Sequence, residues 1–223
     1  FTIYSAMISL SSAICASLVA VFLIRDLQFS YTNYMLVIMG GTFISLFSME
    51  IWGKFADKYG NYKTIVISST VIPIIPILWI LNPSIIYLLF VPSLIEGIAW
   101  AGMNLATGNF IYDNVSPQKR GQAVSYLNMM WGIGVFIGAI ISAILIKFLN
   151  TNFVTPIVAI FIVSAIARAL VAIIGLSKIK EVRKMRKVGN AKNFLHIIFK
   201  GAKPTLVHEV HEIASIGSYL RMK

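Results

Sequence analysis

Six apolar runs, each long enough to cross a lipid bilayer as a helix, set the terms on which this chain can fold. They cover approximately residues 2–24, 32–52, 64–82, 84–110, 122–148 and 153–177. Crossing the ~30 Å hydrocarbon layer takes about 20 residues at 1.5 Å of rise each. The breaks between the runs are short and polar: Arg25-Asp26-Leu27-Gln28, then the stretch from Gly53 to Lys63, Asn82-Pro83-Ser84, the stretch from Asp113 to Gly121, and Asn150-Thr151-Asn152. Lipid offers no hydrogen-bond partner to a bare backbone, so each run has to satisfy its own N–H and C=O groups as a helix. Composition agrees, with 58% hydrophobic and 12% charged residues against about 25% charged in soluble domains. The expected fold class is an all-α membrane protein, with a six-helix transmembrane bundle over 1–177 and a basic tail over 178–223.

The formal charge of +11 suggests a nucleic-acid partner only until the charges are located. Eleven of the 19 Lys and Arg residues lie in the tail, where they fit attraction to anionic lipid better than nucleic-acid binding. Adding Lys54, Lys58, Lys63, Lys119 and Arg120 puts 16 basic residues on one side of the membrane, against Arg25 and Lys147 on the other. Lys and Arg near span ends resist translocation, so the residue-1 end and the tail are both expected on the cytoplasmic side of the cell membrane. The chain starts at Phe1, with neither Met nor a basic leader, and so reads as part of a longer protein without a signal peptide. Its single cysteine, Cys15, excludes a disulfide framework and a cysteine zinc site.

Two superficial motifs dissolve on inspection. Gly132 and Gly134 sit in mid-helix, where no phosphate loop forms; with Gly138 and Ser142, Gly134 instead starts a small-residue stripe suited to close helix packing. His208 and His211 stand three apart with no third ligand, which is not a zinc protease pattern. They lie on the polar face of an expected amphipathic tail helix whose apolar face carries Leu206, Val210, Ile213 and Leu220. No metal and no cofactor is expected.

The second break is more specific. It carries Gly53, Asp57, Lys58, Gly60 and Lys63, with Tyr62 before the last cation. This pattern resembles the G-x-x-x-D-[RK]-x-G-x-[RK]-[RK] loop of the major facilitator superfamily, between the second and third helices of a six-helix half; Tyr62 departs from it at a basic position. The fourth connection adds Gly97, Trp100, Gly102, Asn104, Asn109, Asp113, Pro117, Arg120 and Gly121, similar to helices ten and eleven of a subset of that family. The resemblance covers residues 1–177. It implies two inverted three-helix repeats, favours the C-terminal half (helices seven to twelve) over an N-terminal half whose tail is the central loop, and calls for a missing six-helix half or a second copy as partner. It further implies secondary transport of a small solute by alternating access. Gly53, Asp57, Lys58, Gly60, Lys63, Asp113, Arg120 and Gly121 would form the conformational gate, with Asp57 docking near Arg120 at the start of the fifth helix, where the helix dipole favours an anion.

Two charges stand deep in the bilayer. Glu96 lies ~18 Å into its span and Arg168 comparably deep in the sixth. A charge at such depth is a functional candidate by default, and the structural alternative is a Glu96–Arg168 pair. Trp100 and Asn104 follow Glu96 on the same helix face, and Asn128 and Trp131 offer similar groups in the fifth span. Together these six residues are the expected substrate and ion pathway, with a proton as candidate coupling ion. A membrane scaffold whose tail recruits a cytoplasmic partner is the competing function. An intramembrane enzyme is not expected, because no His and no paired Asp lies at membrane depth. The orientation is checked by cysteine labelling in a Cys15→Ser background. An impermeant reagent applied outside should modify Cys placed at Asp26 or Thr151, and modification at Lys58 or Lys119 overturns the topology.

Overall fold

The computed structural model describes residues 1–149 and 155–178, and the expected amphipathic tail helix lies outside them. Six helices are long and apolar enough to cross a membrane: α1 (Thr2–Asp26), α2 (Tyr31–Tyr59), α3 (Asn61–Leu81), α4 (Ile85–Asn114), α5 (Pro117–Phe148) and α6 (Pro156–Ser177). Several outrun the apolar segments that mark them. Hydropathy reports only the part of a helix that sits in lipid, whereas backbone hydrogen bonding continues into the polar ends. The second break is therefore mostly helical. Gly53 to Tyr59 prolong α2, supported by a Lys54–Glu50 pair at 2.6 Å and by burial of Phe55 and Ala56, and the chain turns only at Gly60. That residue adopts φ 101°, a region that side chains avoid, and its N–H still reaches Ala56 O at 2.7 Å.

The helices pair with an internal symmetry. α1 packs on α5 and on α6, α2 and α3 pack on α4, and α3 meets α6. Exchanging the first three helices with the last three maps α1·α5 onto α4·α2, α1·α6 onto α4·α3, and α3·α6 onto itself. This is the contact pattern of two three-helix repeats. The end bearing Phe1 gathers Phe110, whose ring centroid lies 4.5 Å from that of Phe1, and the Asn61 amide, which donates to Asp113 at 2.7 Å.

Small residues make both symmetry-related contacts close. On α5, Gly134 faces Ala6 O and Ser9 of α1, while Gly138 faces Leu10 O and the Ala13 methyl. Ser142 completes this buried stripe, and the Ser9 hydroxyl donates to Trp131 O at 3.0 Å. The other contact brings Gly97 of α4 against Gly41 O of α2. Between helices in lipid, such close packing and hydrogen bonding replace the hydrophobic drive that water would supply.

Three helices are irregular, and in two of them a proline is the cause. α4 breaks at Val91-Pro92. Pro92 has no N–H for Leu88 O, and the Ser93 hydroxyl takes that carbonyl at 2.8 Å. α3 tightens into a 3-10 turn over Ile72–Ile74, which contains Pro73 and precedes Pro76. α1 loosens at Ser17-Leu18 and ends in a wide turn over Phe22–Asp26.

The glycine contacts give a direct test. Gly138→Leu should drive a side chain into Leu10 O and destabilise the bundle by on the order of 3 kcal/mol. Gly132→Leu, which has open space above it, should leave thermal unfolding unchanged. Equal effects of the two substitutions would refute close α1·α5 packing.

Candidate functional site

Two clefts flank α4. The first, of about 300 Å³, opens between α2, α3 and α4, and Thr42, Ser45, Trp79, Glu96 and Trp100 are among its lining residues. The second, of about 210 Å³, lies between α4, α5 and α1, with Ser5, Asn104, Thr107, Asn128 and Trp131 in its wall. The Trp100 and Trp131 rings meet edge-on between them, with centroids 6.2 Å apart. One face of α4 thus carries Glu96 and Trp100 into the first cleft and Asn104 into the second, as the four-residue spacing expects. Five of the six pathway residues read from the sequence come together on the two clefts.

Glu96 is held from one side. Trp79 Nε1 of α3 donates to its Oε2 at 3.1 Å, while Oε1 has no hydrogen-bond partner among the described residues. Sequence reasoning missed Trp79, which sits near the far end of α3 where nothing in the local pattern distinguishes it from a packing aromatic. No basic side chain among the described residues lines this cleft.

Arg168 lines neither cleft. It is 2% exposed and reaches three elements: Nη1 donates to Ile72 O at 3.2 Å, Nη2 to Ser12 O at 3.2 Å, and Nη2 also to Cys15 Sγ at 3.1 Å. Ile72 O, which Pro76 leaves without a four-residue helical donor, accepts the Ile75 N–H of the 3-10 turn, and the guanidinium adds a second bond that ties α3 to α1. Ser164, one turn earlier on α6, donates to Ser11 O at 2.6 Å. Glu96 and Arg168 act on each other electrostatically and form no direct ion pair. The structural alternative of a direct pair is therefore not met: the guanidinium places its Nη donors on Ile72 O, Ser12 O and Cys15 Sγ, and the carboxylate takes the Trp79 N–H.

At the Phe1 end, the gate residues are arranged differently from the expected Asp57–Arg120 docking. Arg120 turns back onto α4, donating to Tyr112 O at 3.0 Å and Val115 O at 3.3 Å, and its guanidinium lies 5.4 Å from the Tyr112 ring centroid. Those carbonyls end a helix and attract a cation. Asp57 is exposed and makes no ion pair with Arg120. The α2–α3 turn and α4 are joined instead by Asn61 and Asp113. Lys58 and Lys63 flank the Tyr59 ring at 5.3 and 5.8 Å. Tyr62, the residue at the basic position of the loop pattern, donates through its hydroxyl to Leu176 O of α6 at 3.4 Å. Above Gly53 and Gly121 there is open space.

Among the described residues no three His, Cys, Asp or Glu side chains converge where a metal ion could be held. With this geometry in place, the comparison with known families is decisive: the model of the Major Facilitator Superfamily matches residues 1–216. The chain belongs to the Major Facilitator Superfamily. Members of that family move solutes across membranes and are transporters rather than enzymes. Its six spans correspond to one six-helix half of the twelve-helix facilitator unit. Comparison with curated proteins gives no match.

The separation of the two charges generates a prediction. Arg168→Gln should remove the charge-assisted ties from α6 to α3 and α1 and lower stability by on the order of 3 kcal/mol. Glu96→Gln should leave unfolding nearly unchanged, and the double substitution should be as unstable as Arg168→Gln alone. Rescue of stability in the double variant would restore the ion-pair account.

Proposed function

We propose that this chain is the C-terminal half of a secondary transporter that moves a small solute by alternating access, with Glu96 as the ionisable centre of the path. The observation that carries this reading is the face of α4 on which an open carboxylate oxygen, an indole platform and an amide follow one another between two clefts. A carboxylate near mid-membrane is scarce and poorly solvated, which makes it suited to exchange a proton during the cycle. The broken backbone of α4 at Val91-Pro92 lies one turn before Glu96, where a bend changes the exposure of that face.

The path is completed by six further spans or by a second copy of the chain. α2 and α5 support this, since both are long and largely unburied within the six-helix unit. The cytoplasmic membrane is the proposed location, with the residue-1 end and the tail inside. The loop from Gly53 to Lys63 then works as the cytoplasmic gate. In the state described, Asp57 is exposed and Arg120 is turned to α4; in the opposite state Asp57 meets the start of α5 or the missing half. The open space above Gly53 and Gly121 leaves room for that approach.

The test is transport in proteoliposomes holding the chain with its completing half. Glu96→Gln should abolish pH-driven accumulation and leave substrate exchange largely intact. Asp57→Asn should alter cysteine accessibility on the two faces without removing substrate binding. Wild-type accumulation by Glu96→Gln, or wild-type rates and accessibility in Asp57→Asn, would reject the respective assignment.

A further inference from the structure

The cleft between α2, α3 and α4 has a composition that selects among solutes. Its one charged lining residue is Glu96. Trp79, itself in the cleft wall, donates to Oε2, which leaves Oε1 without a hydrogen bond among the described residues. Trp100 follows one turn along α4 and lines the same cleft. α2 contributes Gly41, Thr42 and Ser45. The cleft thus combines one carboxylate, two indoles and neutral hydroxyls.

We propose that this cleft binds an organic ammonium cation, with Glu96 as counter-charge and Trp100 as the stacking face. The inference rests on the transport reading above and names its substrate class. An anion would meet a carboxylate at membrane depth with no basic side chain among the described residues lining the cleft, where repulsion is weakly screened. The positive charge that could cancel it, Arg168, lies outside the cleft with its two Nη donors directed at backbone carbonyls and Cys15. A sugar could use the hydroxyls of α2, yet would leave the buried carboxylate without a counter-charge. A cation satisfies both features: it neutralises Oε1 and gains from the ring quadrupole, an interaction that strengthens when water is excluded. At about 300 Å³ the cleft is at the small end of ligand pockets, which suits a compact alkylammonium ion better than an extended drug. The ionisable groups able to act on Glu96 are Arg168 and Cys15, and α2 presents none to the cleft. Cation and proton therefore compete for the same oxygen.

The probe is tetraethylammonium, with binding to the purified full chain in lipid nanodiscs measured by calorimetry. Wild-type protein should bind it. Glu96→Gln and Trp100→Leu should each weaken binding about tenfold or more. Glu96→Asp should retain binding, which separates loss of charge from loss of fold, and unfolding midpoints of all variants guard against collapse. Undiminished binding by Glu96→Gln overturns the proposal, as does absence of binding by a wild-type chain of normal unfolding midpoint. Proteoliposome uptake separates this failure from failure of the transport reading. If another solute is carried and tetraethylammonium neither binds nor inhibits, the cation assignment falls and transport stands. If tetraethylammonium binds through Glu96 but nothing is carried, the cation site stands and the transport reading falls.

Discussion

Every backbone carbonyl and N–H in the lipid-embedded part of this bundle has to find a partner inside the protein, and that requirement shapes the rest of the structure. A regular helix meets it without help. Where the chain departs from regularity, a particular side chain closes the gap. Pro92 removes the donor for Leu88 O, and Ser93 replaces it. Pro76 removes the four-residue helical donor for Ile72 O, which turns to the Ile75 N–H in a 3-10 turn and also accepts from Arg168 of another helix. The first repair is local and leaves α4 able to bend at that point. The second couples α3, α1 and α6, so that the segments of those helices around Arg168 move as a unit. An unsatisfied carbonyl in hydrocarbon costs several kcal/mol, which is why each proline comes with a substitute donor: the Ser93 hydroxyl at one, and at the other the Ile75 N–H of the tightened turn, joined by Arg168.

The same economy of partners explains how the helices are arranged. Lipid tails are as apolar as Leu and Phe, so burying apolar side chains gives little reason for one helix to prefer another. Close backbone approach does, and it is confined to positions without bulk. Gly134 and Gly138 bring α5 onto carbonyls of α1, while Gly97 brings α4 onto Gly41 of α2. These two contacts are related by the internal symmetry, and they leave α2 and α5 with wide exposed apolar faces, such as Phe43 at 55% and Phe136 at 67% exposure. Polar character is withdrawn from those faces and concentrated along α4, in the clefts on either side of it. The placement of the clefts is therefore a consequence of where small residues permit contact and where they do not.

Much of this architecture was legible in the amino-acid order. Length and hydropathy suffice to place six helices, because the bilayer imposes one dimension on all of them. The Gly134-Gly138-Ser142 stripe was readable since its spacing is local. The Gly41–Gly97 contact was missed although Ser93, Gly97 and Ala101 repeat the same four-residue small spacing on α4, because the pairing of that stripe with Gly41 joins residues far apart in sequence. The clustering of Glu96, Trp100, Asn104, Asn128 and Trp131 followed from helical spacing on α4 and chemical likeness on α5. Trp79 escaped because its role depends on which face of α3 meets α4. Helix ends were set too short, as at Gly53–Tyr59, since charged residues continue a helix after it leaves the lipid.

Glu96 and Arg168 show why depth alone does not distinguish a functional charge from a structural one. Both are rare residues in apolar spans, and from sequence they are equivalent candidates. Their chemistry separates them once helices are packed. A distorted membrane helix exposes carbonyls, which are acceptors, and a guanidinium carries five donors in a fixed fork. An arginine beside a proline-broken helix therefore finds partners readily, and Arg168 takes Ile72 O and Ser12 O. A carboxylate needs donors, and a helical bundle in lipid has few, because the main-chain N–H groups are already used. Glu96 finds one, the indole N–H of Trp79, and keeps an oxygen without a partner. Each charge keeps one atom without a partner, Arg168 Nε and Glu96 Oε1, but the guanidinium is buried with both Nη donors on scaffold atoms, whereas the half-buried carboxylate lines a cleft that a proton or a cation can enter. In a bundle of this kind, the acid on the cleft wall is the stronger candidate for the proposed path.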